Sequence, residues 1–542
     1  MRTLQDSSHP QSAPVEEHAR RRLLVVALDC AERTLIEKWM AEGHLPNLQA
    51  LRDRGAYGPM SSTADVMVAT PWPTAMTSQW PIEHGFVCWM QWRPEHQDEK
   101  RCDASWVPWT PFYRRLGPLG KRVVAIDVPM MYEPEPFDGL EVVSWGSYDK
   151  HSPLASHPPG LVHELGRKYH KLPIGPEYGE LQGIRMQLKL RDALIAGTEK
   201  AGDACRDLLR REDWDLFIAG FGAPHRAGHN FWDHSSIRED DVPEPLLREH
   251  DDAIRAVYIA ADRQLGKLIE AAPANTSIVA LATHGMGPTN KRSELLPEML
   301  DRILHDRRGE ADALMAAQGG LLKRVRKMVP TVWRQTVKRR LPKGVQDRIM
   351  AFWAGAPQRD WSQTRAFVLL ADGSIRVNLK GRERDGVVPP AEFEPLLQQI
   401  EEGLATWKDE ATGEPLVKRV LRGADLWPEV EPAKRSPSTP DLIVQWSDRP
   451  TIQTQRMTSS RYGPLRWPWP NKQPTGNSGH HVPTGWLMIA DDRLAPGTSI
   501  EDAQGLDLAP TLMHLMGLDP FADMRGRVLA EVAGTEAQAV GA

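Results

Sequence analysis

His225 and His229 stand four residues apart directly after the apolar run DLFIAG, so on a helix they share one face. His284 follows the apolar run SIVALA at once, and His480 and His481 precede WLMIA. Asp29 closes the first such run, LLVVAL. Imidazoles and a carboxylate in this pattern suit a transition-metal site. The chain has 18 histidines, so any one of them alone carries little meaning. An aspartate and four histidines (His225, His229, His284 and His481) spread over the ends of four apolar runs are a joint pattern that chance seldom produces.

The elements that must position them are legible as short apolar runs separated by helical stretches. Leu23–Leu28, Arg122–Asp127, Asp215–Gly220, Ser277–Ala282, Asp441–Trp446 and Trp486–Ala490 read as buried strands. Helical stretches lie between them, at Thr34–Ala41, Met186–Arg211 and Pro245–Ala272. Such alternation predicts an α/β fold: a mostly parallel sheet with helices on both faces. Ligands of these sheets bind at the carboxyl ends of the strands, where Asp29, His225 and His284 stand. Two regions interrupt the pattern. Residues 321–348 carry ten Lys or Arg against the single acid Asp347, a solvated insertion or a basic amphipathic surface for a membrane or anionic partner. From Arg365 to Leu421, short alternating segments and a helix around Phe393–Trp407 predict a small α+β insertion.

The expected division is a disordered tail over 1–22, a core over 23–300, and a basic helical insertion over 301–360. The α+β insertion over 361–435 and the second part of the core over 436–535 complete it. Composition is that of a globular chain, 542 residues with 41% apolar and 26% charged. A net charge of −5 gives no global attraction to nucleic acid. Cys30, Cys88, Cys102 and Cys205 form no CxxC pair and no disulfide framework. With neither a signal-peptide pattern nor a transmembrane run, a cytoplasmic protein is expected.

The order of motifs resembles the type I phosphodiesterase/nucleotide pyrophosphatase branch of the alkaline phosphatase superfamily. The resemblance begins at VVALDCAERTLIEKWMAEGHLPNLQALRDRGAYGPMSST and continues through MTSQWPIEHGF, DLFIAGFGAPHRAGHNFWDH and LATHGMGP. It resumes at DGSIRVNLKGRERDGVV and GHHVPTGWLMIA and closes at LDLAPTLMHLMGL. It implies an alkaline-phosphatase-like fold and a hydrolase with two metals, usually zinc. Asp29 takes the place of the first-strand ligand, His229 that of the histidine in a D-x-x-x-H pattern, and His481 that of the late ligand. His284 keeps the histidine of an S-D-H-G motif, and His480 is a close neighbour of the site.

Three positions depart from that pattern. His225 stands where an aspartate is expected, Thr283 replaces the aspartate before His284, and Val68 replaces the nucleophilic Thr or Ser. Thr70 is the nearest hydroxyl, aligned with residue 68 if the segment is extended and turned away if it opens a helix. One metal would then keep three neutral imidazoles, His225, His229 and His481, the ligand set of a catalytic zinc. The other would keep Asp29 and His284, with Thr283 a poor ligand. Three readings follow. One is a hydrolase of phosphate esters, phosphodiesters or pyrophosphates, using metal-activated water or Thr70. The others are a pseudoenzyme binding a phosphorylated ligand or partner, and different chemistry at a His-rich centre of zinc, iron or manganese. Asp29, His225, His229, His284 and His481 are expected to converge in one cleft that the Val68 side chain faces.

Overall fold

The computed structural model describes residues 21–146, 153–170, 181–307, 360–369 and 373–534, apart from 468, 470 and 474. The tail up to residue 20, most of the 301–360 insertion and all of 321–348 lie outside the described residues. Strands follow in the order β1 (Arg22–Leu28), β2 (Ala56–Ser61), β3 (Val123–Ile126), β4 (Gly139–Val143), β5 (Ala155–His157), β6 (Leu216–Phe221) and β7 (Thr276–Ala282). Then come β8 (Gly285–Pro288), β9 (Gly479–Val482) and β10 (Thr484–Ala490). The central sheet runs β2-β10-β7-β1-β6-β3-β4-β5, with Thr498–Ser499 and Ala503–Gln504 on β2. β1 lies parallel between β6 and β7, and β3 parallel between β6 and β4. Within this sheet β10 runs antiparallel to both β2 and β7, and β5 antiparallel to β4.

The sequence of β1, RLLVVAL, explains its central place. Leu24, Val26 and Leu28 enter one hydrophobic core while Leu23, Val25 and Ala27 enter another, so both faces are apolar and both are covered. The helices doing the covering include α1 (Pro71–Thr77), α2 (Ile184–Arg211), α3 (Ala223–Phe231), α4 (Ala253–Ala271) and α5 (Leu508–Leu515). α2 and α4 supply the first core; α1 and α5 supply the second. The expected helix Pro245–Ala272 is two, Glu244–Asp251 and α4, abutting at Asp252. Among the described residues no helix is long and apolar enough to cross a membrane.

Asp441–Trp446 forms a strand, Leu442–Trp446, but not in the parallel sheet. It pairs antiparallel with Ser374–Val377 and Val417–Arg422 in a separate four-stranded sheet. An apolar run reports burial on both faces and not the direction of its neighbours, so the run alone could not place it. Helix Pro390–Ala405 covers this sheet through Leu396, Ile400 and Leu404. The unit is fastened to the segment after α1 by buried polar contacts. Trp92 Nε1 donates to Glu383 Oε2 at 2.6 Å, and Arg376 Nε donates to Glu383 Oε1 at 2.8 Å.

That segment contains a buried titratable group. Phe86 N–H donates to His84 Nδ1 at 3.2 Å, and Thr74 Oγ1 lies 3.3 Å from Nε2. Burial pushes the His84 pKa down from 6.5 to about 3. The unfolded chain therefore binds a proton below pH 6.5 that the folded chain refuses. This contribution to stability is complete above that value and is lost progressively as pH falls toward about 3. Between pH 7 and pH 5 the loss is expected to be roughly 2 kcal/mol. Denaturant unfolding at the two pH values should show a smaller drop for His84→Asn than for the native chain. Equal drops would contradict the assignment.

Candidate metal centre

Four chain segments meet at the carboxyl ends of β1, β6 and β7. β1 ends at Leu28, and Asp29 N–H donates to Phe221 O at 3.1 Å, locking its end to that of β6. α3 starts two residues after β6, with Pro224 in its first turn, and places His225 and His229 one turn apart. After β7 come Thr283 and His284, and β8 then pairs antiparallel with β9, setting Met286 opposite His481. Strand β9 lies hard against α3: a Cβ on Gly479 would sit 2.2 Å from Gly228 O. Only glycine permits that approach. Ser478 N–H donates to His229 O at 2.8 Å and completes the junction.

Proton positions follow from the partners of the three imidazoles. His225 Nδ1 lies 2.7 Å from Asp29 Oδ2, His229 Nδ1 2.8 Å from Gly479 O, and His481 Nδ1 3.3 Å from Val68 O. A carboxylate and two carbonyls only accept, so each Nδ1 is the donor, and in the neutral ring the lone pair lies on Nε2. His225 Nε2 lies 3.0 Å from His229 Nε2 and 2.8 Å from His481 Nε2. Burial first, then the neighbouring imidazoles, hold the pKa values of His229 and His481 well below the ordinary 6.5. Nitrogens bound tetrahedrally to one zinc at ~2.0–2.1 Å lie about 3.3 Å apart, within a few tenths of these separations. With the three rings neutral, inward lone pairs and outward N–H groups held by acceptors would fit a divalent ion.

A second donor group adjoins the first. Asp29 Oδ1 accepts from Trp72 Nε1 at 2.7 Å and lies 3.7 Å from Cys30 Sγ. Cys30 Sγ is 2.9 Å from His284 Nε2, and Thr283 Oγ1 is 2.9 Å from His284 Nδ1. Asp29, Cys30 and His284 offer donor atoms within 4.8 Å of one another, as do Cys30, His225 and His481. Burial would raise the Asp29 pKa, but the charges of His225 and His284 and the bonds from His225 and Trp72 lower it overall. His284 is pushed down to about 4, chiefly by burial.

Cys30 is the donor that sequence reasoning missed. In the sequence it is one of four cysteines without a CxxC partner, and the signal that marks it is its place directly after Asp29 at a strand end. Its backbone is left-handed, φ 54°, which costs a non-glycine residue roughly 1–3 kcal/mol. Thr283, read as a poor ligand, uses its hydroxyl on the His284 ring.

The remaining candidates have other partners. Thr70 is fully buried; its hydroxyl donates to Met67 O at 2.7 Å and pairs with Thr63 Oγ1 at 2.6 Å. Thr70 is the residue before α1, and its side chain makes no capping bond to the helix. Val68 touches the cluster through its carbonyl, and with Cys88, Trp92 and Pro440 it lines a small pocket. His480 lies on the strand face opposite His481, 2.9 Å from Pro288 O.

Residues 23–468 match the family model for type I phosphodiesterase/nucleotide pyrophosphatase. Among solved structures, the chain is similar to phosphonoacetate hydrolase from Sinorhizobium meliloti 1021 in complex with phosphonoformate. Identity is 14% over 92% of this chain and 95% of that one, with a TM-score of 0.50. It is also similar to human ectonucleotide pyrophosphatase/phosphodiesterase 5, at 11% identity over 92% and 96% of the two chains, with a TM-score of 0.44. No curated protein matches in sequence.

The Gly228–Gly479 junction yields a test of the geometry. In Gly479→Ala the added methyl must push β9 off α3, displacing His481 and the acceptor of His229 Nδ1. The expected result is a stability loss of about 1–3 kcal/mol together with reduced zinc bound per chain. Gly160→Ala, where a Cβ meets nothing within 4 Å, should change neither. Unchanged zinc binding in Gly479→Ala would contradict the assigned role of the junction.

Proposed function

The chain belongs to the type I phosphodiesterase/nucleotide pyrophosphatase family, and on that premise we propose that it is a metal-dependent phosphoester hydrolase with a histidine-rich centre. The observation that carries this reading is the approach of two imidazoles to His225 Nε2, His229 Nε2 at 3.0 Å and His481 Nε2 at 2.8 Å. These residues would hold one ion, and Asp29, Cys30 and His284 would be the donors for a second. Cys30, ligating as a thiolate, would restore the anionic ligand missing at Thr283. Imidazole with thiolate favours zinc or iron over manganese.

Such an ion, when bound, polarises a phosphoryl oxygen and lowers the pKa of water toward ~7. The protein's own residues do the positioning. Asp29 and the carbonyls of Gly479 and Val68 hold the outer N–H groups and keep the lone pairs directed inward. Val68 offers an isopropyl group where the family resemblance places a hydroxyl, and the Thr70 proton is engaged by Met67 O. Water, rather than a side chain, is therefore the attacking group, and phosphate esters, phosphodiesters or pyrophosphates are the substrate class. The same two features support a second reading, in which the site binds a phosphorylated ligand without turnover.

Hydrolysis of an aryl phosphodiester by zinc-loaded protein separates the cases. His225→Ala is expected to lower activity at least ~100-fold and to release metal, while Thr70→Ala changes kcat by less than about threefold, as expected of a side chain that makes no transition-state contact. Cys30→Ser should reduce the number of ions bound. A dead Thr70→Ala beside an active His225→Ala would restore a side-chain nucleophile. Turnover undetectable in the zinc-loaded native protein would favour binding without hydrolysis.

A further inference from the structure

Apart from the central cluster, His234, His250 and Asp251 offer donor atoms within 4.8 Å of one another. They come from two places in the chain. His234 opens the short turn His234–Ser236 after α3, while His250 and Asp251 end the helix Glu244–Asp251. His234 Nε2 lies 2.7 Å from Asp251 Oδ1, and the two imidazole centroids are 5.4 Å apart.

The neighbours of His250 decide its tautomer. Gln187, on α2, donates its amide N–H to Ser236 O at 2.7 Å, which turns its Oε1 toward His250 Nε2 at 3.0 Å. An amide oxygen only accepts, so Nε2 carries the proton and Nδ1 the lone pair. His250 is fully buried, yet among the described residues Nδ1 meets no partner at hydrogen-bonding geometry. The Asn230 backbone also interacts with the ring. A buried polar atom left unpaired is costly and calls for an explanation. An amide that orients the opposite ring nitrogen is the support a metal-binding histidine requires.

We propose that His234, His250 and Asp251 form a second, separate site for a divalent transition-metal ion, with zinc matched by two imidazoles and a carboxylate. His234 and Asp251 are about half exposed, so the ion is reached from solvent. It would tie the turn after α3 to the helix Glu244–Asp251. The helix carrying His225 and His229 would thereby be braced from its far end. The role is structural and independent of turnover.

The test is zinc titration into metal-stripped full-length protein, by calorimetry and by melting temperature. His234→Ala and Asp251→Asn replace exposed side chains and leave the core untouched. The native chain is expected to bind one more zinc than either variant, and each variant to lose part of the zinc-dependent rise in melting temperature. His225→Ala should keep this increment, which separates failure at the central cluster from failure here. Equal zinc stoichiometry and equal melting shifts in native protein, His234→Ala and Asp251→Asn would overturn the proposal.

Discussion

Imidazole lone pairs that face one another across about 3 Å in a buried pocket repel unless a positive charge lies among them. The surroundings of His225, His229 and His481 impose that arrangement. Their outer nitrogens are tied to Asp29, Gly479 and Val68, so no ring can turn its proton inward without breaking a hydrogen bond. Asp29 is tied in turn by Trp72 from α1, which couples the helix after β2 to the same centre. The parallel sheet supplies the frame: β1, β6 and β7 lie side by side, and their carboxyl ends deliver Asp29, His225 and His284 to one place.

Against that background, the departures at 68, 225 and 283 act together. Replacing aspartate by His225 removes a negative charge from one donor set, and Cys30 is placed to supply one to the adjoining set. Asp29 stands between them, with Oδ2 on His225 and Oδ1 near Cys30. A side chain that orients one ligand and adjoins the other makes the two donor sets interdependent. Val68 contributes its backbone, as the acceptor for His481, at a position where its side chain has no chemistry to offer.

Much of this was legible in the sequence because it depends on local pattern. The continuous apolar run LLVVAL, the four-residue spacing of His225 and His229, and histidines at the ends of apolar runs all report local geometry. What escaped depends on contacts between distant segments. Cys30 gains meaning only from His284, which is 254 residues away. Gly479 matters through Gly228, and nothing in GHHV announces a helix 2.2 Å from its missing Cβ. Asp441–Trp446 looked like the other buried strands because burial on both faces leaves the same apolar run whether the neighbours are parallel or antiparallel. Thr70 depended on whether its segment was extended or helical, and the answer lay in the Thr63 and Met67 contacts.

The account turns on a cation among His225, His229 and His481, and anomalous diffraction from crystals of zinc-loaded protein tests it most directly. It predicts a zinc peak about 2.0–2.1 Å from the Nε2 atom of each of the three rings, with Nδ1 of each still on Asp29, Gly479 or Val68. An absent peak, with a ring turned so that an imidazole N–H points at a neighbouring Nε2, would contradict it.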